Sequence, residues 1–487
     1  MNLNAATATE LMGMDAIDQA SAVRNGEVSR EELVEASILE IEKLNPALNA
    51  VIHPMFEKAQ DQITTVHAEA PFAGVPFLVK DILCHTAGDP YHLGMQFLRR
   101  LGHHEASDSF LASRFRAAGF IFVGKTNTSE LGLQVVTEPV AYGPTRNPWQ
   151  PEYTPLGSSG GAAAAVASGM ASVAHATDGG GSIRLPAAAC GLVGLKPTRA
   201  RVSLGPGLGE VVGGVAVEHV LTRSVRDSAA ILDSTAGRMP GDPYSAPPPA
   251  DSFASNVGKA PGRLRIGVLG RLPDGPEVDP ECRAAVDSTA KLLAGLGHEV
   301  EENSWPEGLA DPGLGDDFMV LWCVIAAASL QGWSQAKGIQ IGQQDVEPST
   351  WALAERGRAI AATALVRARE RLIASGRVQA PWWDRFDVLL TPAMPQLPPR
   401  IGELTPSKDD PLDNFARQLT IAAYTAPFNS TGQPALSIPA GRSVSGLPIG
   451  VQLVADQYQE GTLIRLGSQL EQARPWPTVA PVPLGRH

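Results

Sequence analysis

The chain has 487 residues, with 39 lysine and arginine residues against 51 aspartate and glutamate residues and a formal net charge of −12. This acidic balance argues against nucleic acid and anionic membrane as partners, because both favour clustered lysine and arginine. A hydrophobic content of 44% and a charged content of 18% are those of an ordinary globular protein. The length allows either more than one domain or one compact α/β unit.

Cysteine usage and the apolar segments bear on the location of the protein. The cysteines are Cys84, Cys190, Cys282 and Cys323. They are scattered and lack C-x-x-C spacing, so a disulfide framework is not expected and a reducing cytoplasm is the simpler context. The N-terminal sequence lacks the basic and apolar regions of a signal peptide. The longest strongly apolar run, at 318–330, is predicted to be too short to span a bilayer.

In chain order, the N-terminal half alternates between helical and strand patterns. Apolar residues recur at helical spacing between 16 and 48, and Ser29 followed by Glu32 is typical of a capping box. Continuous apolar runs at 75–79 and 121–123 predict strands that are covered on both faces of a sheet.

The C-terminal half begins after a Pro-, Gly- and Ser-rich passage at 239–262, which predicts a long surface loop. A strand, a helix and a strand follow, and residues 310–385 have a helical pattern. Residues 387–391 and the stretch after 435 supply further strands and a final helix. This alternation predicts an α/β fold with a large, mostly buried sheet between helices.

The stretch LGSSGGAAAAVASGMASVAHATDGGGSIRLPAAACGLVGLKPT, at 156–198, carries the chemistry. A Gly-Ser-Ser-Gly-Gly turn, a buried small-residue helix and a Gly-Gly-Gly-Ser turn follow one another. The second turn can point successive backbone N–H groups into one small space, as stabilisation of an oxyanion requires, and Ser182 closes it. Such turns can also cradle phosphate, but no G-x-x-x-x-G-K-[ST] or G-x-G-x-x-G fingerprint accompanies them. The block therefore favours a serine acyl-transfer site over a phosphate site or plain structural turns.

Five further segments accompany this block: GVPFLVKDI (74–82), GKTNTSELG (124–132), YGPTRNPW (142–149), APFNSTGQPALSIPAG (426–441) and GLPIGVQLVA (446–455). With these motifs the chain resembles the amidase signature family of serine hydrolases from about residue 25 to about residue 475, more weakly between 240 and 420. Within the family it is most similar to amidases of the 6-aminohexanoate-cyclic-dimer hydrolase and aryl acylamidase types. The resemblance implies a single domain over 1–487, with a large mixed sheet covered by helices on both faces and a helical elaboration at about 300–385.

The resemblance also implies the catalytic residues. Lys80 corresponds to the family's base, Ser158 to a bridging serine held by a cis peptide bond after Gly157, and Ser182 to the nucleophile. The oxyanion donors would be the backbone N–H groups of Gly179, Gly180, Gly181 and Ser182. None of the ten histidines lies in a motif that marks a base, so Lys80 must act as the base and must be neutral when it does so. Burial beside the apolar run 75–79 can lower its pKa.

Residues around the triad are assigned supporting roles. Asp178 and Arg184 flank the glycine turn and are expected to pair and hold it, with Ser159 nearby. The chain departs from the family at two positions, with Leu156 where glycine is frequent and Gly179 where a larger residue is usual. The candidate pocket residues are Leu133, Leu156, Cys323, Trp322, Trp382 and Trp383.

The predicted reaction is hydrolysis of linear, aryl or oligomeric amides through an acyl-enzyme, without cofactor or metal, and carbamate and ester hydrolysis would use the same chemistry. The expected partners are a small-molecule amide or carbamate, with the protein a monomer or homodimer. One alternative is an amidotransferase subunit of the glutamyl-tRNA type that releases ammonia for a partner. The segment KPTRARVSLGPG after Leu195 departs from that subfamily. A catalytically inactive binding protein is disfavoured because all three catalytic positions are filled.

Overall fold

The computed structural model describes residues 3–272, 275–302, 306–309, 311, 313–407 and 409–482. The strands are β1 (Val51–Pro54), β2 (Pro76–Lys80), β3 (Ile121–Thr126), β4 (Val173–Asp178), β5 (Val193–Lys196), β6 (Val217–Thr222), β7 (Arg265–Val268), β8 (Glu299–Glu302), β9 (Val388–Pro392), β10 (Ala435–Arg442) and β11 (Pro448–Ala455).

The helices are α1 (Ala5–Gly13), α2 (Ala16–Arg24), α3 (Arg30–Leu48), α4 (Phe56–Ile63), α5 (Gln96–Arg100), α6 (Phe110–Ala117), α7 (Gly160–Ser168), α8 (Arg184–Cys190), α9 (Val225–Thr235), α10 (Pro280–Gly295), α11 (Gly313–Lys337), α12 (Pro348–Ala359), α13 (Ala362–Val378), α14 (Ala380–Arg385), α15 (Phe415–Ile421), α16 (Pro427–Thr431) and α17 (Glu460–Ala473). The capping box predicted at the start of α3 is present, with the Ser29 and Glu32 side chains each bonding the other's backbone N–H.

All eleven strands described belong to one sheet, in the order β1-β3-β2-β4-β6-β5-β10-β11-β9-β7-β8. The pairs β3–β2, β2–β4, β9–β7 and β7–β8 are parallel, whereas the strands from β4 through β6, β5, β10 and β11 to β9 pair antiparallel. The sheet is therefore mixed, which confirms the predicted fold class.

Helices cover the sheet on both faces, because successive side chains of a strand point to opposite sides. In β2, Phe77 and Val79 join one apolar core together with residues of α9, α10 and α17. Leu78, between them, joins a second core formed with the small residues of α7 and α8. This arrangement explains why the strands are continuously apolar rather than alternating.

The segment from α11 to α14 forms a helical layer, as predicted for 310–385. By length and composition α11, with 25 residues, could cross a bilayer, so the prediction that its apolar run is too short was wrong. In the fold α11 packs against α12 and α13, and its apolar side chains join two clusters beside the glycine turn. Contacts with other protein elements bury 33% of its most apolar stretch.

Candidate active site

Lys80 ends β2 and is fully buried, with its Nζ surrounded by three hydroxyls. Nζ lies 2.7 Å from Ser158 Oγ, 2.8 Å from Ser159 Oγ and 2.8 Å from Thr177 Oγ1. Burial holds the pKa of Lys80 well below its ordinary value, and the carboxylate of Asp178, together with Glu218 when that group is ionised, offsets only part of that effect. The site thus contains a buried amine that gives up its proton more readily than an exposed lysine and is bonded directly to a serine.

Ser158 belongs to the Gly-Ser-Ser-Gly-Gly turn, which connects to the start of α7. The Gly157–Ser158 peptide bond is cis, and Thr137 Oγ1 donates to the carbonyl oxygens of Leu156 and Ser158 at 3.0 and 3.2 Å. Leu156 has a φ of +61°, in the left-handed region that glycine adopts most easily. The departure from a family glycine at Leu156 therefore falls where the backbone would favour one.

Ser182 closes the second turn, between β4 and α8, and is half-buried. Among the described residues, the backbone N–H groups of Gly180, Gly181 and Ser182 have no protein acceptor. Thr425 Oγ1 donates to the carbonyl oxygen of Gly180 at 2.7 Å and fixes the turn. A Cβ at Gly181 would lie 2.4 Å from Thr425 Oγ1, so only glycine fits. These donors are available to an oxyanion held above Ser182.

Asp178 and Arg184 form the predicted pair, and both are fully buried. Arg184 donates from Nη2 and Nε to the two carboxylate oxygens of Asp178 at 2.8 and 3.0 Å. Burial alone would raise the pKa of Asp178, but the charge and hydrogen bonds of Arg184 hold it below the ordinary value. The Asp178 carboxylate also accepts from the backbone N–H of Ile183 at 3.1 Å, so the pair spans the whole glycine turn.

Three residues of this network were not predicted: Thr425, Asn429 and Gln452. Arg184 donates to the Asn429 and Gln452 side-chain oxygens at 2.6 and 2.7 Å, and Asn429 Nδ2 donates to Asp178 at 2.9 Å. Asn429 and Gln452 lie inside the motifs at 426–441 and 446–455, which was the available signal. Their contact with a residue more than 240 positions earlier is visible only in the fold.

A second buried pair lies beneath Lys80. His175 in β4 and Glu218 in β6 are buried, with His175 Nε2 3.1 Å from Glu218 Oε1. Burial raises the pKa of Glu218 to about 8, although Lys80 opposes the shift, and burial holds the pKa of His175 well below its ordinary value. At neutral pH the pair is therefore an uncharged carboxylic acid that donates to an uncharged imidazole.

Two cavities meet at Ser182. The larger cavity, of about 270 Å³, is lined by Ser158, Thr177, Glu210, Ser329, Tyr91, Ile325, Trp333 and further side chains that are mostly apolar. The smaller cavity, of about 40 Å³, is lined by Gly180, Gly181, Leu185, Phe318, Met319 and Phe415 among others. Ser182, Gly132, Leu133 and Trp322 line both. The nucleophile candidate thus lies at the junction of two spaces of unequal size.

The structure brings only some of the predicted pocket residues to these cavities. Leu133 and Trp322 line both, and Trp322 Nε1 donates to the Leu133 carbonyl oxygen at 3.0 Å. Leu156 is fully buried in the core beside α7, and Cys323 is buried where α11 packs on α12. Trp382 and Trp383 pack against Phe386 and Leu389 in another cluster. The sequence alone does not distinguish residues that line a cavity from residues of the core, because both sets of side chains are apolar.

One cluster has side chains of the metal-binding type, although no metal is predicted. The ligand atoms of His53, Asp81 and His92 lie within 4.8 Å of one another. Both imidazoles already contact the hydroxyl of Tyr142, and the buried ammonium of Lys125 interacts with Asp81. The cationic Lys125 beside this position opposes a divalent metal, and the Tyr142 hydroxyl occupies one nitrogen of each imidazole.

Comparison with known proteins shows the family. The Amidase family model matches residues 32–464. A 6-aminohexanoate-cyclic-dimer hydrolase from Pseudomonas sp. (strain NK87) is 42% identical over 472 residues, which cover 95% of each protein. A solved structure of 6-aminohexanoate cyclic dimer hydrolase complexed with substrate has a TM-score of 0.93 at 41% identity and covers 96% of this chain and 99% of that one. A bacterial aryl acylamidase structure has a TM-score of 0.88 at 26% identity, and the match covers 98% of this chain and 100% of that chain.

The chain belongs to the amidase signature family, and the predicted resemblance is confirmed. It is an amidohydrolase that cleaves the carbon–nitrogen bonds of small-molecule amides.

Proposed function

We propose that the chain hydrolyses amides through an acyl-enzyme on Ser182, with Ser158 as proton relay and Lys80 as base. The main support is the fully buried Lys80, whose Nζ lies 2.7 Å from Ser158 Oγ beside a cavity that both serines line. In this proposal Lys80 takes the place of a histidine base, because burial lowers the pKa of the lysine and so favours the neutral form that accepts a proton.

In the first step Ser182 Oγ attacks the amide carbonyl and its proton passes through Ser158 to Lys80. The negative charge on the carbonyl oxygen is stabilised by the backbone N–H groups of Gly179, Gly180, Gly181 and Ser182. The carbon–nitrogen bond then breaks, and the nitrogen takes the proton back from Ser158 and leaves as an amine. In the second step water attacks the ester, and the same relay removes a proton from that water and returns one to Ser182.

The substrates we propose are linear, aryl or oligomeric amides, with weaker hydrolysis of carbamates and esters. The oxyanion donors contact only the carbonyl oxygen, which all three bond types share. A relay that protonates the departing nitrogen is most useful for amides, whose amines are poor leaving groups. The largely apolar walls of the larger cavity suit aryl or aliphatic substituents.

The alternative is an amidotransferase subunit that supplies ammonia to a partner. The site chemistry is compatible with it, but an apolar cavity offers little to glutamine, whose polar head would lose its hydration there. We further propose a single-domain, cytoplasmic protein that acts as monomer or homodimer without nucleic acid or membrane.

A hydrolysis panel on the purified chain alone tests this proposal. Anilides, aliphatic amides, carbamates, esters and glutamine are compared at equal concentration, with Ser182→Ala as the blank. We expect anilides and amides with medium-chain N-alkyl groups to have a higher kcat/KM than acetamide or glutamine. Glutamine as the best substrate, with activity only in the presence of a partner protein, would replace the hydrolase with the amidotransferase.

A further inference from the structure

We infer that the two cavities at Ser182 divide the substrate, so that the amine portion lies in the larger cavity and only a short acyl group fits the smaller one. This inference rests on the proposed acyl-enzyme mechanism. It assigns a substrate class, short-chain acyl amides of bulky apolar amines, which the family does not specify.

The position of Ser158, the proposed proton relay, determines which cavity holds the amine portion of the substrate and which holds the acyl portion. Ser158 lines the larger cavity and is absent from the lining of the smaller one. Since the departing nitrogen must come within hydrogen-bond reach of Ser158 Oγ, the nitrogen and its substituent lie on that side. The acyl substituent, on the other side of the tetrahedral carbon, then points past Gly180 and Gly181 into the smaller cavity.

Helix α11 runs across both cavities and sets their extents. Phe318 and Met319 line the smaller cavity, Trp322 one turn later lines both, and Ile325 and Trp333 line the larger cavity. At about 1.5 Å per residue, Trp333 lies about 16 Å beyond Trp322 along the helix, whereas Phe318 lies only about 6 Å before it.

Trp322 is held as the partition between the two spaces. Its ring stacks on Phe318 with centroids 5.1 Å apart and planes at 22°. Its Nε1 donates to the Leu133 carbonyl oxygen on the opposite wall at 3.0 Å. A Cβ at Gly179 would lie 3.4 Å from the Trp322 ring, so the unusual glycine at this position leaves ordinary contact space beside the partition.

The volumes of the two cavities limit the sizes of the acyl and amine groups that each can hold. One water needs about 10–15 Å³ on this measure, so a cavity of 40 Å³ holds an acyl chain of about three further heavy atoms. By the same measure a cavity of 270 Å³ holds on the order of 20 heavy atoms, enough for an aryl or long alkyl amine.

Two substrate series test the assignment with the intact protein. The first is a set of 4-nitroanilides with acyl chains from acetyl to octanoyl, and the second a set of acetamides with N-substituents from methyl to hexyl and phenyl. We expect kcat/KM to fall at least about tenfold between butyryl and hexanoyl anilides and to rise with amine size. Rising kcat/KM up to octanoyl, or octanamide exceeding acetanilide, would reverse the assignment while leaving the proposed amidase function intact.

Substitutions in α11 test the roles of the two cavities separately, because different residues of this helix line each cavity. Phe318→Ala and the milder Met319→Ala enlarge the smaller cavity and should raise the hexanoyl-to-acetyl ratio of kcat/KM by about fourfold for each methylene accommodated. The matched control Ile325→Ala should change the ranking of amines and leave the acyl-length profile as in the wild type. If Ile325→Ala changes the acyl profile and both other variants do not, the inference is wrong.

A cyclic substrate gives an independent check. In the cyclic dimer of 6-aminohexanoate the acyl and amine arms are joined, so both must lie on one side of Trp322. We expect its kcat/KM to be at least about tenfold below that of acetanilide. A kcat/KM for the cyclic dimer above that of acetanilide would contradict the partition at Trp322. Failure to cleave any amide would contradict both the partition and the proposed function.

Discussion

Ser182 is the residue on which the proposed chemistry depends most. Its hydroxyl makes no hydrogen bond with the described residues and the side chain is half-buried, so truncation should cost little stability. We expect Ser182→Ala to reduce kcat by up to about 10⁶ while the thermal unfolding midpoint stays near the wild-type value. A variant that retains more than about a tenth of the turnover would exclude Ser182 as nucleophile.

Lys80→Ala should lower kcat severely, by about 10² or more, because no other base among the described residues contacts the Ser158 hydroxyl. In the wild type the rate should rise with pH as Lys80 loses its proton, with the rising limb well below pH 10. The measurement is the pH profile of kcat, and Lys80→Met is the control for lost side-chain volume. A rate that persists unchanged under acid conditions would argue against a titrating lysine.

The titration of Lys80 should make the free energy of unfolding depend on pH in a direction that its lowered pKa determines. Its folded-state pKa lies below the value of about 10.4 for the unfolded chain, so the unfolded state binds more protons between the two values. The contribution of Lys80 to the free energy of unfolding therefore rises with pH across that window. In Lys80→Met this contribution should be absent from the pH dependence of urea unfolding. A pH dependence equal to that of the wild type would contradict a lowered pKa of Lys80 in the folded state.

Glu218→Gln tests whether Glu218 is uncharged beneath Lys80. Since its pKa is about 8, the carboxyl is mostly protonated at pH 7 and the amide should support about the wild-type kcat there. Above pH 8 the wild-type carboxylate favours protonated Lys80, so the wild type should lose activity relative to Glu218→Gln. A loss of about a hundredfold at pH 7 in the variant would mean that the charge itself is used.

At the scale of elements, Asp178 and Arg184 connect the glycine turn to α16 and β11. Asp178→Asn leaves a buried guanidinium without its carboxylate and should lower the free energy of unfolding by about 3–5 kcal/mol. The control is Asp287→Asn, which breaks the exposed pair with Arg283 in α10 and should cost about 0.3–0.5 kcal/mol. Equal effects of the two variants in denaturant unfolding would show that the buried pair does not hold the turn.

The sequence predicted elements best where one pattern dominated. The strands β2 and β3 and the cap of α3 lie where continuous apolar residues and Ser29–Glu32 placed them. The apolar spacing at 16–48 did not by itself separate α2 from α3, because both helices keep a similar spacing, and only the capping box at Ser29 marked the start of the second helix. Sheet order, with β10 between β5 and β11, depends on long-range pairing that no local pattern encodes.

The candidate triad was identifiable because glycine, serine and lysine occur there in unusual motifs. The cavity walls were not, since Phe318, Met319, Ile325 and Trp333 have the same composition as a core helix. Their role depends on which face α11 turns toward Ser182, and that is decided by packing on α12 and α13.

For the whole molecule, we expect activity without metal or accessible thiols. All four cysteines are buried, and burial raises the pKa of Cys323 above its ordinary value, which makes it a poor target for alkylation. EDTA and iodoacetamide should therefore leave kcat close to the untreated value. Loss with EDTA that a divalent metal restores would direct attention to His53, Asp81 and His92.

The most direct test of the account is detection of the acyl-enzyme. The protein is mixed with 4-nitroacetanilide, quenched in acid within the first turnovers, and measured by intact mass and peptide mapping. We expect one acetyl group per chain on the peptide that contains Ser182, absent in Ser182→Ala. An acetyl group on another residue, or rapid turnover with no adduct and no burst of 4-nitroaniline, would contradict a covalent mechanism at Ser182.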